Sequence, residues 1–275
     1  MPQPATQTRE VASIEATLNY VKNDGQKIVV EPVDDGSTEM RTLGTIDPHN
    51  VVIRNGRKLE TSLDGEGFLL AWHETAVSDF FDEAQIRDVY YPEIVDLIQI
   101  QSGAKRVVIF DHTLRTADDA DRQERKIREV VPRVHNDYTE WSGPQRVRDL
   151  LPDEAETLLA GHFAIIQVWR PIRYAVETYP LALCDAQTIS PNDLIVTERR
   201  HPDRIGQTYS VSYNPDHRWF WFPLQRREEA IVFKVYDSLK DGRARFCAHT
   251  AFDDPTSPAD ARPRESIEIR TLAFF

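Results

Sequence analysis

His162-Phe-Ala-Ile-Ile-Gln-Val-Trp169 is a short apolar run, rich in β-branched and aromatic residues, that opens the part of the chain where the fold is decided. Seven similar runs follow at regular spacing, near Pro180–Asp185, Leu194–Thr197, Thr208–Tyr213, Trp219–Phe222, Ala230–Tyr236, Arg245–Phe252 and Ser266–Phe275. Pro, Asn and Asp turns separate them. Many short strands in one block predict a sandwich or jelly roll. Upstream, Arg106-Val-Val-Ile-Phe110 reads as another strand. Ile86, Val89, Tyr90, Ile94 and Ile98 give an apolar stripe at helical spacing, so a helix capped by Asp79 is expected to run to about residue 101. Two shorter helices are expected at Ser142–Leu150 and Pro152–Ala160. Residues 12–60 alternate weakly, and their turn signals Asn23-Asp24-Gly25, Asp34-Asp35-Gly36 and Asn55-Gly56 suggest hairpins.

Composition narrows the function. The 275 residues allow one large domain or two small ones, and no shift in composition marks a second. Lys and Arg number 33 against 45 Asp and Glu, a net charge of −12. Phosphate neutralisation needs a basic face, so nucleic acid and anionic membrane are disfavoured as main partners. No apolar run approaches the ~20 residues of a membrane helix. The first residues, Met1-Pro-Gln-Pro-Ala-Thr-Gln, lack the pattern of a secretory signal. Cys184 and Cys247 form no C-x-x-C pair. Two reduced, buried thiols in a cytoplasmic protein are therefore expected. The charged stretch 115–130 reads as a solvated loop or as a cover over a site.

The chemistry is carried by Val134-His135-Asn136-Asp137-Tyr138. In an extended segment residues two apart share a face, so His135 and Asp137 can meet one metal ion. A third ligand must come from a distant strand. His249, amid the apolar Phe246-Cys-Ala-His-Thr-Ala-Phe252, is the candidate. Two imidazoles and one carboxylate form the facial triad of non-haem Fe(II) oxygenases, which leaves positions open for a bidentate 2-oxo acid and dioxygen. Arg264-Glu265-Ser266 lies fifteen positions after His249. A guanidinium fork with a hydroxyl beside it suits the far carboxylate of 2-oxoglutarate. Arg262 and Arg270 flank the same strand, but Arg264 has the Arg-x-Ser placement.

These residues resemble the Fe(II)/2-oxoglutarate oxygenase superfamily, in particular the subgroup of the bacterial cephem methoxylase component, gibberellin desaturase and AsaB-type hydroxylase/desaturase proteins. The stretches that carry the likeness are Val108–Arg115, Val134–Thr139, Val168–Ile172, Pro180–Asp185, Trp219–Pro223, Ala230–Ser238, His249–Phe252 and Arg264–Arg270. The resemblance implies a mainly β protein with flanking helices, a cupin-like double-stranded β-helix. The likeness covers roughly residues 65–275; a single oxygenase domain over 1–275 is expected, with flanking strands and a helix in 1–104 and the jelly-roll core in 105–275. The resemblance also implies Fe(II) on His135, Asp137 and His249, 2-oxoglutarate on Arg264 and Ser266, and O2 as co-reactant. The expected reaction is hydroxylation, desaturation or ring formation on a small specialised metabolite.

Other residues carry two readings. His112 either contacts cosubstrate or substrate, or bonds to Asp111 and solvent. Lys234 either points to solvent or meets a substrate carboxylate. Tyr138 and Trp169 are core or pocket wall. Arg170 and Arg173, around Pro171, suggest a small anion site. His73, His162, His201 and His217 have no ligand-like spacing. A zinc or nickel cupin acting as hydrolase or isomerase, and a non-catalytic accessory protein, are the rival classes. The assembly is open, a homodimer included.

Overall fold

Strands dominate the computed structural model, which describes residues 11–32, 40–118, 128, 130–200 and 205–275. The expected frayed N-terminus, the turn at Asp34-Asp35-Gly36, His201 and most of the charged stretch 115–130 lie outside these residues.

Five strands form the smaller sheet: β5 (Phe68–Trp72), β6 (Arg106–Thr116), β8 (Phe163–Pro171), β13 (Glu229–Asp237) and β15 (Glu265–Phe274), in the order β5-β13-β8-β15-β6. The larger sheet takes β1 (Ser13–Val21), β2 (Ile28–Pro32), β3 (Met40–Leu43), β4 (Ile46–Asn55), β7 (His135–Asn136), β9 (Leu181–Cys184), β10 (Leu194–Arg200), β11 (Ile205–Val211), β12 (Trp219–Trp221) and β14 (His249–Ala251). Its order is β1-β4-β12-β9-β14-β7-β11-β10-β2-β3. The two sheets face each other as the jelly roll of a double-stranded β-helix.

Alternation along β8 explains why its sequence reads as a continuous apolar run. Ala164, Ile166 and Val168 pack outward under the helical layer, while Phe163, Ile165 and Trp169 pack inward between the sheets. A central strand covered on both faces has no polar side to show. Phe68, Phe163, Ile165 and Phe233 are among the side chains buried between the sheets, each worth about 1.5–3 kcal/mol. A third cluster, with Leu18, Tyr20, Trp219 and Trp221, covers the far face of the larger sheet.

The helical layer over the smaller sheet differs from expectation at its start. Asp82, not Asp79, caps it by accepting from the Ala84 N–H; Asp79 instead accepts from the Phe81 N–H. A short turn (Glu83–Gln85) and a π-helical turn (Ile86–Tyr90) lead into α1 (Tyr91–Ser102). Gly103, at φ 77°, terminates α1 in the left-handed region. Later come α2 (Ser142–Leu150) and α3 (Ala155–Leu159).

The N-terminal hairpins differ more. β1 pairs with β4, and β2 pairs with β3 and, in parallel, with β10, so Asn23-Asp24-Gly25 does not join hairpin partners. Asn55-Gly56 closes no hairpin either; the Asn55 side chain caps a 3-10 turn by accepting from the Arg57 N–H. β5 carries no turn-bounded alternation that would have marked it in the sequence. Strand β14 is three residues long, because Arg245 and Phe246 do not join the ladder.

Candidate metal centre

The centre lies where β7, β14, β8 and β15 meet inside the roll. His135 and His249 are register partners across β7 and β14. One nitrogen or oxygen from each of His135, Asp137 and His249 lies within 4.8 Å of the others. His135 Nε2 is 3.6 Å from Asp137 Oδ1.

Backbone carbonyls orient both imidazoles. His135 Nδ1 donates to the Arg133 carbonyl at 2.7 Å, and His249 Nδ1 donates to the Cys247 carbonyl at 3.1 Å. With Nδ1–H used in this way, the lone pair of each Nε2 is free for a metal. Burial, reinforced by His249, pushes His135 down to about 3, so its ring is neutral at neutral pH. Burial works to raise Asp137, but Arg270 and the two imidazoles hold its carboxyl well below the usual range. Neutral imidazoles and an ionised carboxylate are the forms that bind metal.

The second piece belongs to the same pocket, which the triad shares with Trp169, Leu181, Arg115, Arg264 and the buried carboxylate Glu268. Arg264 is 4% exposed, and one of its terminal nitrogens donates to the Tyr179 carbonyl at 2.6 Å. Tyr179 reaches that position at φ 45°, a left-handed conformation that costs a non-glycine residue about 1 kcal/mol or more. The Arg264 guanidinium lies over the Trp169 ring, 5.3 Å from its centroid. Among the described residues, Arg264 Nε and Ser266 Oγ find no hydrogen-bond partner although both are buried. Burial, with Arg115 adding like charge, pushes Arg264 down to about 9. Two crowded guanidinium groups and an orphaned hydroxyl fit the far carboxylate of a dicarboxylic acid.

Other expected contacts do not converge. His112 sits on the outer face of β6, with Nδ1 bonded to the Tyr91 hydroxyl at 2.7 Å and Nε2 3.2 Å from Glu83. Its register partner Ile269 faces the helical layer too, so the pleat carries His112 away from the pocket. Lys234 is neither solvated nor in the pocket. It is 2% exposed, with Nζ 2.6 Å from Asp64 and 2.8 Å from Asp237. Arg170 spends its guanidinium on the carbonyls of Arg227 and His73, and Arg173 pairs with Glu265, so neither forms an anion site. Tyr138 is buried in the inter-sheet core, whereas Trp169 forms a wall of the pocket.

Sequence reading missed Gln167 and underrated Arg270. Gln167 Nε2 donates to Asp137 Oδ2 at 2.7 Å, and Arg270 Nε is 3.7 Å from the same oxygen. The available signal was a lone amide in the apolar run 163–169.

A family model described as an oxidoreductase/YMDC permease-like domain matches residues 18–274. The alpha-ketoglutarate-dependent dioxygenase phiK of a fungal species is 33% identical over 237 residues, covering 84% of this chain and 85% of that protein. The chain belongs to the Fe(II)/2-oxoglutarate-dependent oxygenases. Within this oxygenase family, hydroxylase/desaturase efuI of Hormonema carpetanum is 31% identical over 290 residues, 96% of this chain and 95% of that protein. A solved structure of the iron and alpha-ketoglutarate-dependent endoperoxidase NvfI superposes on the oxygenase with a TM-score of 0.83 at 27% identity, covering 96% of this chain and 98% of that one. Among the described residues of the oxygenase, no helix is long and apolar enough to cross a membrane.

Proposed function

We propose that this chain oxidises a small specialised metabolite with Fe(II), 2-oxoglutarate and O2, holding the iron on His135, Asp137 and His249. The observation that carries the assignment is the convergence of three ligand atoms within 4.8 Å, with both imidazoles turned by backbone carbonyls to offer Nε2. Bound there, the iron supplies the oxidising chemistry, with 2-oxoglutarate ending as succinate and carbon dioxide.

The chain's own residues bind, orient and exclude water. Arg264 takes the far carboxylate of 2-oxoglutarate through its free Nε edge, and Ser266 adds its hydroxyl. Trp169, Leu181 and Ala251 wall the space between that clamp and the ligands, keeping bulk water from the reacting end. Substrate binds beside the metal without ligating it, and the product is an alcohol, an alkene or a ring. Arg264 Nε and Ser266 Oγ, unpartnered among the described residues and suited to the far carboxylate of 2-oxoglutarate, weigh against a zinc or nickel hydrolase that needs no such cosubstrate. Cys184 and Cys247, both buried and free, suit a reducing compartment such as the cytosol.

The test is succinate formation from 2-oxoglutarate by the Fe(II)-loaded protein across a panel of candidate metabolites. Metabolite-dependent succinate with a mass shift in the metabolite is expected. Metabolite turnover with zinc in the absence of 2-oxoglutarate would overturn the reading.

A further inference from the structure

We propose that Gln167 and Arg270 are positioning residues that hold Asp137 by Oδ2, so that it presents Oδ1 alone to the metal. The inference rests on Asp137 being a ligand and adds how this chain sets its denticity.

Gln167 and Arg270 are register partners on β8 and β15, and both project into the roll beneath Asp137. Gln167 is fully buried in a strand that is otherwise apolar on that face. A buried amide is costly unless its hydrogen bonds are made. Its amide nitrogen donates to Asp137 Oδ2 at 2.7 Å, whereas Oε1 is buried with no hydrogen-bond partner among the described residues. Only the nitrogen end of an amide can face a carboxylate at that distance, which fixes the orientation. Arg270 approaches the same oxygen from the neighbouring strand, with Nε at 3.7 Å.

Arg270 is itself locked. It donates to Asp111 at 2.8 Å and to the Thr113 hydroxyl at 2.9 Å, and it pairs with Glu268. A guanidinium held at three points cannot follow the carboxylate if it rotates. Asp137 Oδ2 is thereby claimed from two strands, while Oδ1 faces His135. A carboxylate free to swing both oxygens to the metal would take an extra coordination position. The open half of the sphere is what a bidentate cosubstrate and dioxygen require. Gln167 and Arg270 therefore protect reactivity as well as affinity.

The experiment titrates Mn(II) alone into the metal-free full chain, reading free Mn(II) by electron paramagnetic resonance. The thermal midpoint without metal is recorded alongside. Gln167→Met, close in length and apolar, is expected to weaken Mn(II) binding by about 10- to 100-fold at an unchanged midpoint. Arg270→Lys, which keeps the charge, is expected to bind Mn(II) more tightly than Arg270→Met. This pair decides the matter if Gln167→Met does not fold. Asp137→Ala serves as the control. Wild-type affinity in Gln167→Met, or in both Arg270 variants, with binding lost in Asp137→Ala, overturns the clamp and leaves the ligand assignment standing. Wild-type affinity in Asp137→Ala overturns both.

Discussion

His135 and His249 face each other across β7 and β14 with ring centroids 4.5 Å apart. The ladder between these strands sets that distance, and the carbonyls of Arg133 and Cys247 set the tilt. Both constraints come from backbone hydrogen bonds of the chain itself.

Replacing either imidazole should therefore remove binding rather than folding. His249→Ala is expected to lower Mn(II) affinity by more than the roughly 100-fold seen for outer partners of metal ligands, and to reduce 2-oxoglutarate turnover below detection. The unfolding free energy of the metal-free protein should change by no more than about 1–3 kcal/mol, a typical value for a single substitution. Urea denaturation with Mn(II) titration checks both.

The Arg264 clamp should appear in cosubstrate affinity. A hydrogen bond to a charged group is worth about 1.5–3 kcal/mol, so Arg264→Met should raise the KM for 2-oxoglutarate roughly 10- to 150-fold. Ser266→Ala, which removes one hydroxyl, should raise it about 2- to 12-fold. Mn(II) affinity without 2-oxoglutarate should stay at the wild-type value in both variants, separating this clamp from the metal ligands.

Lys234 is expected to matter for stability only. Its partner Asp237 is fully buried, and removing one member of a buried ion pair costs about 3–5 kcal/mol. Lys234→Met should lower the unfolding free energy by that amount. The KM values of the folded variant should remain those of the wild type, whereas a residue gripping a substrate carboxylate would raise the KM for that substrate.

Acid sensitivity should trace in part to Glu229. Burial works to raise its carboxyl, but the Arg57 guanidinium and the Arg226 N–H hold it below its ordinary 4.5. Both Arg57 terminal nitrogens bond it, at 2.6 and 2.8 Å. A carboxylate with a depressed value contributes its full stabilisation above about pH 4.5 and loses it as pH falls through the lower folded value. Glu229→Gln should be less stable at pH 7, by about 1.5–3 kcal/mol. It should also lose stability less steeply below pH 4.5. Denaturant midpoints measured from neutral to acid pH give both slopes.

The helices at residues 86–102 and 142–150 and most strands after residue 160 were legible, because apolar periodicity is local. The pairing of β1 with β4 was not, since the residues between them show two turn signals that usually close hairpins. Lys234 was misread for a related reason. A lysine in an apolar strand usually reaches solvent, and nothing near it in the chain announces that Asp64 will pack against it.

The sequence by itself determined that His135 and Asp137 share one face, that His249 sits in an apolar strand, and that Arg264 and Ser266 lie two apart at the start of the last strand. Extended backbone has a period of two, and that period is written in the residues. Only the tertiary structure decided that His249 lies opposite His135, that Gln167 reaches Asp137, and that His112 turns outward to Tyr91. Those outcomes depend on strand order and register between segments far apart in the chain, which are set by how the two sheets bury their faces against each other and not by any local run of residues.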